Sequence, residues 1–184
     1  MEIVYRKLKP SEARDYRRVR LACLENYPDS FGTLYENEVG KTKLYFEEAI
    51  ERAAPDVFFF GAFADNNLIG IAGFVRGDRT KTRHRGELVS MYVDPAFHGR
   101  RVGEGLVRAL AEAVFAIDGI EQIHLTVVAD NRAAVRLYER IGFETFGVQK
   151  NYFKLGEKRW DQCFMQLERK SFFDENVIET KFKD

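Results

Sequence analysis

A basic, glycine-containing segment in the middle of the chain has the composition of an anion-binding loop. It covers 98–105 and has the sequence H-G-R-R-V-G-E-G. The apolar run over 87–93 predicts a strand that stops at Pro95, and a helical pattern opens inside the loop. A helix N-terminus placed there presents N–H groups without intrahelical partners and the positive end of the helix dipole. We therefore expect this segment to bind phosphate groups, with a pyrophosphate as the ligand.

The loop does not match two other phosphate-binding motifs. It is not a P-loop, because the pattern G-x-x-x-x-G-K-[ST] does not occur. It does not match the dinucleotide fingerprint either, because G-x-G-x-x-G is missing and no strand–helix–strand unit near the N-terminus offers it. An ordinary connection between a strand and a helix, with solvated basic side chains, is the alternative.

The composition limits the class of protein. A chain of 184 residues can form one domain with a sizeable core. Its 29 basic and 29 acidic residues balance, which argues against a strongly basic nucleic-acid binder. Cys23 and Cys163 stand far apart and make no ligand pair with the three histidines, so we expect reduced thiols, a cytoplasmic protein and no metal site. No apolar stretch approaches the roughly 18 residues of a membrane span, and the charged N-terminus does not resemble a signal peptide.

Hydrophobic periodicity predicts the elements that would hold the loop in place. The predicted strands cover 2–8, 57–63, 68–76, 86–94, 120–128, 143–149 and 160–169. The predicted helices cover 11–27 with Ser11 as N-cap, 41–53, 102–117 and 131–141. The segments between them are predicted as a loop or broken helix over 28–40, an exposed basic loop over 77–86 and a polar loop over 150–159. Residues 1–169 would form one domain, followed by a tail over 170–184.

A second motif follows the glycine loop at a spacing of about 25 residues. It covers 130–143 and has the sequence D-N-R-A-A-V-R-L-Y-E-R-I-G-F. With the V-x-P at Val93, it resembles the GCN5-related N-acetyltransferase (GNAT) superfamily, whose corresponding pattern is N-x-x-A-x-x-x-Y-x-x-x-G-F. The resemblance spans about residues 2–169. It implies an α/β (α+β) GNAT fold: a mixed sheet of about seven strands, helices on both faces, and splayed parallel strands over 86–94 and 120–128.

Two registers of the family's loop pattern, [Q/R]-x-x-G-x-[G/A], are compatible with this chain. A literal match falls at 100–105. Counting from the strand end to the first helix leucine, Leu106, favours 98–103 instead. In this second register His98 replaces the usual Gln or Arg and Arg101 replaces the first motif glycine. We expect Arg101 to be tolerated there with a negative φ.

The resemblance also implies acetyl-CoA as co-substrate, bound without a metal between the two splayed strands. Pantetheine amides would pair with the backbone around Met91 and Val93, and the Val93 N–H would polarise the thioester carbonyl. Loop amides from Gly99 to Glu104 would bind the pyrophosphate. The residues expected to bind the cofactor are Met91, Val93, His98, Gly99, Arg100, Arg101, Val102, Gly103, Glu104, Asn131 and Tyr138.

The resemblance implies two catalytic residues. Glu87 stands six residues before Val93, at the offset of the catalytic Glu in histone-type members. An amine with a pKa of about 10.4 is protonated at neutral pH, so a carboxylate must accept that proton. Tyr138 would protonate the departing thiolate. The alternatives are a plain surface acid for Glu87, core packing for Tyr138 and simple helix capping for Asn131.

The acceptor would be a small-molecule amine or a peptide N-terminus, entering opposite the cofactor between 27–40, the start of 77–86 and 150–160. The candidate wall residues are Tyr27, Phe31, Tyr35, Glu36, Glu38, Tyr152 and Trp160. Two rival hypotheses are a non-catalytic acyl-CoA-binding or regulatory module and a nucleic-acid binder that uses Arg79, Lys81, Arg83 and Arg85. A homodimer through the last strand or the tail is a further hypothesis.

Overall fold

A mixed seven-stranded sheet forms the centre of the molecule, with the strand order β1-β2-β3-β4-β5-β7-β6. The computed structural model describes residues 2–174. The strands are β1 (Ile3–Lys7), β2 (Val57–Ala64), β3 (Asn67–Arg76), β4 (Arg85–Val93), β5 (Gln122–Val128), β6 (Glu144–Leu155) and β7 (Lys158–Glu168). The helices are α1 (Ala13–Asn26), α2 (Glu36–Val39), α3 (Tyr45–Glu51), α4 (Val102–Phe115), α5 (Arg132–Ile141) and α6 (Arg169–Phe173). The predicted fold class, a mixed sheet with helices on both faces, is confirmed.

Each face of the sheet carries its own apolar core. The side covered by α4 and α5, called the α4 side, buries Leu106 and Leu110 against Leu125 and Met165. The leucines recur at helical spacing, and strand residues alternate between the two faces, so each element presents one apolar side here. The side covered by α1 and α3, called the α1 side, buries a second set. That set includes Tyr16, Val19, Phe59, Phe63, Ile71 and Tyr92.

The sheet opens between its only parallel neighbours among the described strands, β4 and β5. Their pairing is confined to three positions, Arg85↔Gln122, Gly86↔Ile123 and Glu87↔His124. Beyond Glu87, β4 continues to Val93 without β5 as a partner. The two strands therefore diverge towards their C-terminal ends and leave a gap in the middle of the sheet.

A β-bulge marks the place where β4 leaves β5. The pairing of β4 with β3 shifts by one residue between Val89 and Tyr92. Ser90, in this interval, has φ 55°. A bulge adds one residue to a strand, increases its twist and redirects the peptide groups that follow. The backbone from Met91 to Val93 is thus presented to the gap.

The polar loop predicted over 150–159 is wrong. Strand β6 runs to Leu155 and β7 begins at Lys158, so the two strands form a long hairpin with its turn at 156–157. Pairing shifts between Gln149 and Phe153, and Asn151 adopts φ 53° there. Strand β6 is an edge strand exposed along most of its length, so its sequence lacks the apolar alternation that identifies a strand with one buried face.

Several boundaries also differ from the prediction. Ser11 does not cap α1, because Pro10–Glu12 form a 3₁₀ turn and the helix begins at Ala13. The Glu12 carboxylate instead accepts a hydrogen bond from the Lys9 N–H at 2.7 Å. The start of the predicted tail is helix α6, which packs Phe172 on Phe115 with ring centroids 5.5 Å apart. The rest of that tail, 175–184, lies outside the described residues, and within 2–174 no helix is long and apolar enough to cross a bilayer.

Candidate active site

A cavity of about 1190 Å³ fills the gap between β4 and β5. Its walls come from both sides of the sheet: the loop before α4 and the start of α5 on one side, and 27–33 on the other. Phe153, Trp160 and Gln162 of the β6–β7 hairpin complete the lining. The loop, the strands and the second motif singled out in the sequence therefore meet at one place.

The loop before α4 turns its backbone towards this cavity. Asp94 closes the strand end, since its carboxylate accepts the Ala96 N–H at 2.9 Å. Gly99 has φ 75° and Arg101 has φ 56°, so the expected negative φ at Arg101 is wrong. A side chain in this left-handed conformation costs roughly 1–2 kcal/mol, which explains why a glycine suits the position.

The first turn of α4 follows the loop directly and packs between β4 and α5. The Arg101 carbonyl oxygen accepts the first hydrogen bond of the helix, from the Gly105 N–H at 3.0 Å. The N–H groups of Val102 to Glu104 therefore lie before the first N–H that takes part in helical hydrogen bonding. Gly103 allows close packing, because a Cβ there would lie 2.7 Å from the Met91 methyl carbon and 2.9 Å from a Leu137 methyl carbon, and these side chains would have to move. The turn is therefore pressed between β4 and α5, with its amides at the cavity wall.

His98 ties this loop to the end of β4. Its Nε2 lies 2.9 Å from the Val93 carbonyl oxygen, at hydrogen-bond distance. Arg100 differs from its neighbours: its guanidinium lies 5.8 Å from the centre of the Phe97 ring, and it is not a cavity residue. The other residues predicted to bind the cofactor all line the cavity: Met91, Val93, His98, Gly99, Arg101, Val102, Gly103, Glu104, Asn131 and Tyr138.

Val93 presents its backbone to the gap. The Asp94 N–H donates to the Ile69 carbonyl of β3 at 2.8 Å. Successive residues of an antiparallel strand direct their hydrogen-bonding groups to opposite neighbours, so the Val93 N–H points away from β3. It therefore faces the side from which β5 has withdrawn, where a ligand can accept a hydrogen bond from it.

Glu87 occupies the last paired position before the strands separate. Its neighbour Leu88 lies in the core of the α4 side, so by alternation the Glu87 carboxylate stands on the α1 side. It is open to solvent in the cavity, yet the surrounding protein atoms raise the pKa of this carboxyl group by desolvation. A raised pKa brings the carboxylate nearer to the range in which it can accept a proton at neutral pH.

Tyr138 approaches the cavity from the α4 side. It is 6% exposed and stands edge-on to Phe143, with ring centroids 5.7 Å apart. Burial raises the pKa of its phenol well above the usual range, so the hydroxyl stays protonated and can donate. Glu87 and Tyr138 thus face the same gap from opposite sides of the sheet.

Asn131 caps helix α5, as its side-chain oxygen accepts the Ala134 N–H at 3.2 Å. It also lines the cavity at the point where β5 ends. The other end of α5 closes at Gly142, with φ 112°. Capping accounts for the conformation of Asn131, and its place at the cavity wall leaves its amide nitrogen for a ligand.

Some of the residues predicted to form the acceptor wall lie at the cavity. Tyr27, Phe31 and Trp160 line the cavity, whereas Tyr35, Glu36, Glu38 and Tyr152 do not. Sequence reasoning missed Arg20, Phe153 and Gln162, which do line it. Arg20 was detectable as a cation on the otherwise apolar face of α1, but Phe153 was hidden by the wrong loop prediction.

Within residues 2–174, no cluster of three or more His, Cys, Asp or Glu could hold a metal ion.

Solved structures show the same architecture. An acetyltransferase of the GNAT family from Streptococcus pneumoniae superposes with a TM-score of 0.77 over 91% of this chain and 99% of its own, at 23% identity. The structure of yncA, a putative acetyltransferase from Salmonella typhimurium with its cofactor acetyl-CoA, gives a TM-score of 0.73 over 91% of this chain and 94% of its own, at 18% identity. At these identities the likeness establishes the fold.

Sequence comparison adds the family. N-alpha-acetyltransferase RimI of Mycobacterium tuberculosis is 36% identical over 105 residues, which are 57% of this chain. The chain spans 63% of that relative's length and about a quarter of two further curated relatives. The model of the acetyltransferase (GNAT) family matches residues 14–143. Together with the splayed strands and the loop before α4, this match shows that the chain belongs to the acetyltransferase (GNAT) family.

Proposed function

We propose that this protein transfers the acetyl group of acetyl-CoA to the primary amine of a small molecule or of a peptide N-terminus. The observation that carries the proposal is the gap between β4 and β5, into which a strand backbone, helix amides, a carboxylate and a phenol converge. Membership of the GNAT family supports it, as does a structural neighbour with acetyl-CoA as its cofactor.

The residues present fit coenzyme A. The amides of Val102 to Glu104, next to the left-handed Arg101, form a concave anion site at a helix N-terminus. This geometry favours the register 98–103, with Arg101 at the glycine position. The Val93 N–H and the backbone of Met91 would pair with the amides of the pantetheine arm. At about 1190 Å³, the cavity exceeds the ~300–1,000 Å³ of typical small-ligand pockets, which leaves room for a second substrate.

The cavity contains a residue that can accept a proton from the amine and a residue that can donate one to the sulfur. The thioester supplies the electrophilic carbon, and the amine nitrogen forms a bond to it as the carbon–sulfur bond breaks. Glu87 accepts the proton that the ammonium must lose, directly or through one water. The Val93 N–H donates to the carbonyl oxygen as negative charge develops on it, and Tyr138 donates its proton to the departing sulfur. The nitrogen loses a second proton as the amide bond forms, and this proton returns to Tyr138 through water, while Glu87 releases the first one to solvent. The products are the N-acetylated amine and free coenzyme A.

The cysteines take no part in this scheme. Cys23 and Cys163 are both buried free thiols, and burial raises the pKa of Cys23 to about 12. A protonated, buried thiol is a poor nucleophile, which supports direct transfer without a covalent acyl-enzyme. Two unpaired thiols also support the cytoplasm as the place of action.

A thiol-release assay tests the proposal. The purified protein is mixed with acetyl-CoA and a panel of primary amines, and free coenzyme A is followed with a thiol reagent. We expect release that depends on the amine, and mass spectrometry should find the amine heavier by one acetyl group. Binding of acetyl-CoA without amine-dependent release would establish the non-catalytic module instead, and absence of acetyl-CoA binding would overturn both.

A further inference from the structure

Gln162 has an unusual environment on the acceptor side of the cavity. It is 4% exposed, and its side-chain oxygen is the one buried side-chain polar atom in the described part of the chain that has no hydrogen-bond partner. Buried amide oxygens are otherwise paired, because leaving one unpaired costs free energy. Gln162 lines the cavity, so a rotation of its amide can bring this oxygen to a ligand N–H, which supplies the missing partner.

The side of the sheet on which Gln162 stands follows from strand alternation. Cys163, the next residue of β7, and Met165 both have their side chains in the core of the α4 side. Successive side chains of a strand point to opposite faces. The side chain of Gln162 therefore points to the α1 side, as does Glu87. Gln162 pairs with Val128, four residues beyond His124, the partner of Glu87. The two side chains thus flank a stretch of roughly 13 Å along β5, which can hold a small acceptor and a water.

Arg20 provides a positive charge on the same side. It lies on α1 and lines the cavity, with its guanidinium 4.9 Å from the centre of the Phe31 ring. Within residues 2–174 no carboxylate lies within ion-pair distance of it, and its one hydrogen bond goes to the Cys23 sulfur at 3.8 Å. A half-buried guanidinium packed on an aromatic ring is held in place for an anionic group, and carboxylates match its geometry.

We propose that Arg20 and Gln162 form the acceptor-recognition subsite, and that they select an amino acid as the acceptor. Gln162 accepts a hydrogen bond from an N–H of the acceptor amine, and Arg20 binds the carboxylate of the same molecule. Phe31, Phe153 and Trp160 then offer an apolar wall to its side chain. This inference rests on the proposed acetyl transfer and adds the class of amine that receives the group.

The direct test is a set of matched acceptors. Phenylalanine, phenylalaninamide and phenethylamine share a side chain and an amine but differ in the carboxylate, and leucine with its two analogues forms a second set. We expect kcat/KM for the amino acid to exceed that for the decarboxylated amine roughly 10-fold or more, the size of one charge-assisted hydrogen bond. A short peptide amide, which lacks the neighbouring carboxylate, should behave as the decarboxylated amine does.

Variants of Arg20 and Gln162 test whether these two residues cause the preference for amino acids. Arg20→Met should reduce the preference for the carboxylate to about one, and Arg20→Lys should restore part of it, because the charge returns without the planar guanidinium. Gln162→Leu should raise KM for the acceptor while the melting temperature holds or rises, because the amide that carries the unpaired buried oxygen is removed and the side chain becomes apolar. A residue with a purely structural role would lower the melting temperature instead.

Matched controls exist on the same elements. Arg14 is exposed on α1 and Gln149 is exposed on β6 opposite Gln162, so Arg14→Met and Gln149→Leu should leave the acceptor preference and KM unchanged. If amines are acetylated but the decarboxylated ones react as well as the amino acids, or if Arg20→Met keeps the preference, the inference is overturned while the transfer activity stands. If no amine is acetylated, the proposed function itself fails.

Discussion

Glu87 and His124 form the last parallel pair between β4 and β5, and the sheet opens directly beyond them. A carboxylate at this position reaches the gap from a strand that is still held on both sides by its neighbours. Such a site is rigid, and rigid strand positions hold a reacting group more accurately than loops do. Glu87, the proposed general base, therefore stands at the point where β4 and β5 separate.

Replacing Glu87 with Gln should lower kcat about 10²-fold or more, the usual contribution of a general base. The raised pKa of Glu87 means that activity of the native protein climbs as pH rises through that pKa and the carboxylate forms. The variant should lose this acidic limb. Rates measured from pH 4.5 to 9 with saturating acetyl-CoA test this, with Glu25→Gln, an exposed acid on α1, as the control. An unaltered acidic limb would remove Glu87 from the mechanism.

The same substitution should change stability in a pH-dependent way. Because folding raises the pKa of Glu87, the folded state favours its protonated form, and stability from this group is lost as pH rises through the folded pKa. Gln does not ionise, so Glu87→Gln should melt at a higher temperature than the native protein at pH 8. The difference should shrink towards pH 4, and thermal melts at both pH values measure it. If the difference in melting temperature between the variant and the native protein were the same at both pH values, ionisation of Glu87 would not affect stability.

Tyr138→Phe should separate catalysis from binding. In the proposed mechanism its hydroxyl only donates to the departing sulfur, burial keeps the phenol protonated, and the ring packs on Phe143 with or without the hydroxyl. We expect kcat to fall about 10²-fold, while the Kd for acetyl-CoA from calorimetry and the melting temperature stay close to the native values. Tyr45→Phe, on an exposed tyrosine, is the control. A parallel loss of affinity and rate would identify Tyr138 as a packing residue.

Much of the site could be predicted from the sequence, because the strand β4 is a continuous apolar run that packs on both cores and the helices α4 and α5 have one apolar face each. The apolar run ending at Val93 and the leucines of α4 identified the loop between them, and the motif through Tyr138 identified α5. The unpredicted parts depend on tertiary contacts. The β6–β7 hairpin has no fully buried face along β6, and Gln162 is significant only because nothing around it pairs with its side-chain oxygen.

Arg101 allows a test of backbone strain in the loop. Glycine should suit its left-handed conformation better than any side chain, so Arg101→Gly should be more stable than Arg101→Ala by about 1 kcal/mol. Both variants lose the same charge, so both should weaken coenzyme A binding equally. Urea unfolding and calorimetry measure the two quantities. At Arg100, which has no positive φ, the glycine variant should be no more stable than the alanine variant. Equal stability of the two Arg101 variants would mean that the strain is absent.

Gly103 stands in the packing between α4, β4 and α5 and in the proposed coenzyme A site. An alanine there would bring its methyl group to 2.7 Å from the end of Met91 and 2.9 Å from Leu137, so the first turn of α4 must shift or the side chains must move. We expect Gly103→Ala to cost about 1 kcal/mol of stability or less, because the atoms that it meets are the ends of flexible side chains and alanine favours a helix. It should nevertheless weaken coenzyme A binding, because Met91 is pushed into the cavity that it lines or the amides of this turn shift. Gly147→Ala, which meets nothing within 4 Å, is the control.

A double variant identifies the cause of that loss. Met91→Ala removes the side chain that the new methyl group would strike, so adding it to Gly103→Ala should recover part of the affinity for coenzyme A, although Met91→Ala alone destabilises the fold. Residues in contact are coupled in this way, and a cycle of the four proteins measures the coupling energy. Additive effects would show that Gly103 acts on the cofactor without Met91, and the close packing of α4 on β4 would then have no part in holding the amides towards the gap.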